Sequence, residues 1–257
     1  FSEFRPLFNE WDTAGRSPVT EAVDTIEGEL RYFECCSAKT GFPPDWHHNP
    51  FTGINAPKDV HWSRLGDFDF GDIKVLWEPS RFGFVFTLVR AYARTGDDRL
   101  AEAYWKSVED WRDNNPPQHG VNWKCGQEAS FRIMAWCFGL HAFLNAPATT
   151  PKRLVMLAEM LVVHGRRIEA NIGYALQQYN NHGISEAAGL WTLGVLFPEF
   201  LDSAKWRDLG AKLLTTQVQE LIYDDGSFSQ HSVNYHRVML HDCLWAIKLG
   251  ESSGERL

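Results

Sequence analysis

Long apolar runs are missing. No window of this 257-residue chain approaches the roughly 18 to 20 unbroken apolar residues of a helical membrane span, so no membrane partner is expected. Cysteine is scarce: Cys35, Cys36, Cys125, Cys137 and Cys243 are an odd count without a C-x-x-C pair. That excludes a disulfide framework and a zinc cassette, and the thiols are expected to be reduced and mostly buried. Basic clusters are also absent, and 25 Lys and Arg against 33 Asp and Glu give a net charge of -8, which argues against a nucleic-acid partner. An anionic substrate stays compatible, because a local basic pocket can form in an acidic protein. The opening FSEFRPLFNEW lacks the apolar core of a signal peptide,. What is present is an ordinary globular mixture, 44% hydrophobic and 23% charged, long enough for one large core in a single domain spanning residues 1–257. Eleven Trp are core filler or sugar-stacking platforms.

Apolar residues recur mostly at three- and four-residue spacing. Val19, Val23, Ile26, Leu30 and Phe33 form one stripe, predicting an amphipathic helix over 19–33,. A Gly-, Pro-, Asp-, His- and Trp-rich segment follows near 35–75 and reads as loops with short strands. A segment of that length without regular structure is often functional. From residue 80 on, helical patterns punctuated by Gly, Pro and Asp dominate. Their short connections predict antiparallel hairpins, hence an all-α fold, either an irregular bundle or an (α/α) toroid.

Two stretches carry polar chemistry on apolar helices. NNHGISEAAGLWTLGVLFPEF (180–200) opens with two amides and an imidazole before an almost wholly small and apolar run. An N-cap explains one Asn but not His182. DDGSFSQHSVNYHRVMLHD (224–242) places His231, Tyr235, His236, Arg237 and His241 near a helix start. The five-residue His spacing leaves one helix face and makes no metal signature. On its own, that stretch reads as a core Tyr beside a solvated face.

In combination, WEPSR (77–81), GVNWKCGQEASFR (120–132), Asn180-Asn181-His182 and DGSFSQHSVNYHR (225–237) resemble the heparinase II/III-like polysaccharide lyases. The likeness runs from about residue 70 to 245. It implies a helical (α/α) toroid, here incomplete, with the family's C-terminal β-sandwich domain outside this chain. It also implies an acidic polysaccharide partner and no cofactor or metal held by this chain. As to localisation, the resemblance points to the periplasm or secretion, and the cytoplasm stays open.

The resemblance further implies β-elimination on a uronic acid, in which the C5 proton is removed and the O4 substituent expelled. A C5 proton beside a carboxylate is too weakly acidic to be taken directly, so the carboxylate must be neutralised first. By resemblance Asn181 is that neutraliser. His182 assists it, or acts as base when the C5 proton and O4 lie on opposite faces. Tyr235 is then the acid toward O4, and also the base when both lie on one face. A tyrosine's ordinary pKa near 10 calls for a cationic neighbour, Arg237 or His236. Gln127, Glu128 and Arg132 are candidate substrate contacts, although Glu128 and Arg132 stand at i, i+4, where a plain helix ion pair accounts for them. Trp77 and Arg81 are candidate substrate contacts that line the cleft, with the alternative that Glu78 and Arg81 brace a helix start after Trp77. Two other classes remain: a glycoside hydrolase pairing Asp224 or Asp225 with Glu128, and a non-catalytic carbohydrate-binding toroid.

Overall fold

The computed structural model describes residues 17–257. They form two compact units, one of residues up to 124 with 135–158, the other of 125–134 with 159–257. Val19 and the rest of the expected 19–33 helix lie within the described part, and that expectation is corrected. Helix α1 covers only Pro18–Ile26, and strand β1 (Glu29–Tyr32) pairs antiparallel with β2 (Cys36–Lys39). Gly28 makes the break. Its φ of 94° is open to glycine, and a Cβ there would meet Gly41 Cα at 2.8 Å,. The apolar stripe is therefore divided between a helix and a strand, and Val23 and Phe33 are exposed.

The loop-rich segment holds a second ribbon, β3 (His48–Asn49) with β4 (Ile54–Asn55), and a 3₁₀ turn at Trp62–Arg64. Helix α2 (Ile73–Ser80) starts at Asp72, whose carboxylate accepts from the Lys74 N–H,. Next come α3 (Phe84–Thr95), ended by left-handed Gly96, and α4 (Asp98–Asn114), capped by Asp97,. In the first unit Trp46, Trp105, Trp111 and Trp123 are buried with their N–H groups satisfied. Trp111 donates to Ser80 Oγ at 3.0 Å and Trp123 to the Asn115 carbonyl at 3.1 Å,.

Helices α5 (Gly126–Phe143) and α6 (Pro151–Gln177) each contribute residues to both units. The second unit is completed by α7 (Asn181–Leu196), α8 (Ser203–Leu221) and α9 (Val233–Ser253). Helix α7 is buried on every side from Gly183 to Gly194, as its small, apolar sequence requires. Helix α8 crosses it closely at Gly210, where a Cβ would stand 2.6 Å from the Trp191 backbone nitrogen. Three hydrogen bonds fix α9 against α7. Ser185 Oγ meets Asp242 Oδ2, Trp191 Nε1 donates to the Ala246 carbonyl at 3.1 Å, and Trp245 Nε1 donates to Thr192 Oγ1 at 2.9 Å. Between Ser185 and Trp191 the partner on α9 advances from Asp242 to Ala246, so α7 and α9 run in the same direction. Alternate members of a hairpin series do so.

Candidate active site

Asn180 is the N-cap of α7. Its backbone is extended, and its side-chain oxygen accepts from the His182 N–H at 2.9 Å,. The cap turns Asn181 inward, where it is 1% exposed, while the Asn181 N–H donates to Gln230 Oε1 at 3.3 Å. Its side-chain Nδ2 donates to Gln127 Oε1 on α5, and its Oδ1 is buried with no hydrogen-bond partner. Such an orphan costs about 1–3 kcal/mol, and as an acceptor it is served only by a donor.

His182 is half-buried, and burial pushes its pKa down, with Glu128 acting in the opposite direction. Its Nδ1 lies 3.8 Å from Cys125 Sγ. Burial first, and then Glu128, hold that thiol up at about 12, so it keeps its proton and is able to donate it to Nδ1. In the tautomer that accepts from the thiol, the imidazole hydrogen sits on Nε2.

Beneath these residues lies a buried polar layer. Arg132, fully buried and lowered to about 9 by desolvation with Glu128 opposing, donates to His164 Nε2 at 2.9 Å. His164 is held well below its ordinary pKa by burial and Arg132, and its Nδ1 donates to the Met160 carbonyl at 2.7 Å. Burial raises Glu186 to about 8, opposed by Arg167. Asp242 is raised to about 7 by burial, while its hydrogen bond from Ser185 pulls the other way. Gln127, Glu128 and Arg132 thus face the interior of this unit.

Tyr235 stands in the first turn of α9, behind the N-cap Ser232, and is 37% exposed. That corrects the reading of the stretch as holding a core Tyr. It precedes Asp242 by seven residues, nearly the same azimuth on a helix, and so shares the side of α9 that meets Ser185 of α7. Asn181 is one turn before Ser185. Both therefore lie toward the N-terminal ends of two neighbouring helices of the same direction. His236 is half-buried with its ring 6.3 Å from that of Phe228, and Arg237, His231 and His241 are exposed. Both helices are entered through a non-glycine residue with positive φ, Tyr179 at 48° and His231 at 39°.

Trp77 and Arg81 belong to the first unit. Trp77 Nε1 donates to the Val121 carbonyl at 2.9 Å, and Arg81 pairs with Glu78 at 2.7 Å. The pair closes the end of α2, with Arg81 as its C-cap, which corrects the alternative that it braces a helix start. Glu78 also accepts from the Phe33 N–H at 3.1 Å. Cysteine burial needs a correction too, since Cys35 and Cys36 are exposed.

The hydrolase reading meets an obstacle in Asp225. Ser227 hydrogen-bonds its carboxylate and holds its pKa low, the reverse of what a general acid requires. Among the described residues no three His, Cys, Asp or Glu side chains gather as metal ligands would, and no helix is long and apolar enough to cross a membrane. Two cavities, about 650 and 820 Å³, lie in the first unit, lined by residues such as Arg31 and Glu78 in one and Trp46 and His47 in the other. Neither includes a residue of the Asn181 network.

The fold is that of helical polysaccharide lyases. The chain is similar to the crystal structure of heparan sulfate lyase HepC from Pedobacter heparinus, with a TM-score of 0.70 at 22% identity, covering 98% of this chain and 39% of that one. A heparinase III structure matches with a TM-score of 0.66 at 21% identity, over 98% of this chain and 38% of the other. In sequence, residues 27–256 match the model for the heparinase II/III N-terminus, and the chain belongs to that family. A heparin-sulfate lyase of Bacteroides thetaiotaomicron is 31% identical over 169 residues, 64% of this chain and 23% of the relative. One of Pedobacter heparinus is 28% identical over 194 residues, 74% and 28% of the two chains. The chain thus spans about a quarter of the length of these relatives.

Sequence reasoning missed Ser185, Glu186, Asp242, His164 and Arg167 as members of the site. A signal existed for the first two, because Ser185 and Glu186 interrupt a helix that is otherwise small and apolar, and a polar residue there must find a buried partner.

Proposed function

We propose that this chain is the helical domain of a polysaccharide lyase that cleaves a uronic-acid-containing polymer of the glycosaminoglycan class by β-elimination. Family membership and relatives named heparin-sulfate lyases support the class of reaction. The observation that carries the reading is the Asn181 carboxamide. It is a buried amide, held by Gln127, at the start of a helix whose free N–H groups favour an anion.

In this reading the uronate carboxylate docks over the first turn of α7 and takes hydrogen bonds from the Asn181 amide and from His182 Nε2–H. A Cys125 thiol that donates to Nδ1 favours that donor role for His182 over the role of base. With the carboxylate neutralised, Tyr235 takes the C5 proton, the C5–H electron pair becomes the C4–C5 double bond, and the C4–O4 bond breaks. The departing O4 receives a proton from the tyrosine hydroxyl. Gln127 orients Asn181, Arg132 and Glu128 hold the layer beneath, and Arg237 and His236 flank Tyr235. Trp77 and Arg81 are proposed as substrate contacts of the first unit.

The test is direct. The longest natural form of the protein is offered several uronate polymers, and the ultraviolet absorbance of a new carbon–carbon double bond is followed. Reducing ends that appear without that absorbance would make it a hydrolase, and binding without turnover would make it a non-catalytic module.

A further inference from the structure

The Asn181 carboxamide ends a chain of four side chains from three helices. Asp242 Oδ2 of α9 lies 2.5 Å from Ser185 Oγ of α7, Ser185 Oγ lies 3.2 Å from Gln127 Oε1 of α5, and Asn181 Nδ2 donates to that same Oε1. All four residues are at least nine-tenths buried, and the far end, Asn181 Oδ1, is unpartnered. An oxygen cannot donate to a carboxylate, so the amide must turn to do the work proposed for it.

Proton counting says when it turns. Ser185 has one hydroxyl hydrogen, which cannot serve Asp242 and Gln127 at once. If Asp242 is protonated, its acid hydrogen goes to Ser185, the Ser185 hydrogen goes to Gln127 Oε1, Asn181 Nδ2 donates to the same oxygen, and Asn181 Oδ1 is left over. If Asp242 is ionised it only accepts, so it takes the Ser185 hydrogen. Ser185 then accepts, and Gln127 must present its nitrogen. The second hydrogen of that nitrogen meets Asn181, whose oxygen turns to accept it. The Asn181 NH₂ now occupies the unpartnered position with both hydrogens available to a ligand.

The geometry points to Asp242 as a positioning residue that, through Ser185 and Gln127, sets whether Asn181 offers donors or an acceptor to the substrate carboxylate. This rests on the reading of Asn181 as the carboxylate-binding amide. The elements packed on Asp242 present Ser185 from α7 and Gln127 from α5, with Cys243 beside it on α9. No cation acts on it among the described residues, and burial holds it near neutrality, so both states are populated at working pH. The other titratable or charged groups of this layer are Glu128, Arg132, His164, Arg167, Glu186 and His182. Ser185→Ala replaces none of them.

The experiment uses the longest natural form, measuring kcat/KM on heparan sulfate by ultraviolet absorbance from pH 5.5 to 8.5, with melting temperatures for every variant. The natural protein should lose activity as pH falls through about 7, approaching tenfold per unit below it. Ser185→Ala should lower kcat/KM at pH 8 by about 10- to 100-fold, as removal of an orienting partner does, and should abolish that acidic limb. Asp242→Asn, which keeps the shape and cannot titrate, should abolish the limb whatever its absolute activity. A folded Ser185→Ala with native kcat/KM and native limb overturns the relay, as does a persisting limb in Asp242→Asn should Ser185→Ala not fold. If Asn181→Ala is fully active, or no uronate polymer is turned over, the reading of Asn181 itself fails. If Asn181→Ala is inactive while Ser185→Ala behaves as the natural protein, only the relay fails.

Discussion

Helices α7 and α9 lie side by side and treat their polar residues in opposite ways. Helix α7 is enclosed, so Asn181, Ser185 and Glu186 are held by interior partners. Helix α9 buries only a narrow line, Met239, Asp242, Ala246 and Gly250, and exposes Val233, Tyr235, Leu240, Leu244 and Ile247. An enclosed helix is where a group can be oriented to fractions of an ångström by packing and hydrogen bonds. A half-exposed one is where a group that meets a large polymer can stand. The arrangement suits Asn181 for orientation and Tyr235 for proton transfer.

The largest expected effect tests the exposed side of that division. Tyr235→Phe keeps the ring and removes the hydroxyl, and loss of a positioned proton carrier should reduce kcat by about 10² to 10⁴, with KM little changed. Because the residue is exposed, stability should move by no more than about 0.5 kcal/mol. Full lyase activity in Tyr235→Phe would remove it from the mechanism.

The enclosed side should instead reveal itself through pH and packing. The Glu186 pKa is raised from 4.5 to about 8, chiefly by burial, so the folded chain holds a proton that the unfolded chain has released. Its contribution to stability is therefore complete below about pH 4.5 and is lost as pH rises through about 8. Glu186→Gln should remove a fall on the order of a few kcal/mol across that window, seen as a shallower pH dependence in urea unfolding. An equally steep fall in the variant would mean that Glu186 is ionised in the folded protein. Asp242, raised in the same direction, supplies the part that remains. At the α7–α8 crossing, Gly210→Ala sets a methyl against the Trp191 backbone, and overpacking of that kind costs about 1–3 kcal/mol. A neutral Gly210→Ala would show that the two helices separate freely.

The sequence made the helical class legible because a 3.6-residue pattern with Gly, Pro and Asp punctuation survives in isolation. It misjudged 19–33, where one apolar stripe serves a helix and then a strand, because the turn depends on Gly41 approaching Gly28. Asn181, His182 and Tyr235 are singled out through their neighbours in sequence. Asp242 was not, since an Asp directly after the exposed His241 looks like any solvated helix residue until Ser185 is brought to it. Long-range partners of that sort have no local spacing to reveal them.

The smallest effect concerns the outer face of α9, where Leu240, Leu244 and Ile247 recur at helical spacing and are all about half exposed. An exposed apolar side chain contributes little to folding, so Leu244→Glu in the 257-residue chain should change stability by less than about 0.5 kcal/mol. The same substitution in the longest natural form discriminates more sharply. If that face stays in water there, the change will again be negligible. If it is covered, burying an unpaired carboxylate will cost several times more and lower the melting temperature by several degrees. The two measurements together decide whether α9 is open on one side, as its contrast with α7 requires, or enclosed as α7 is.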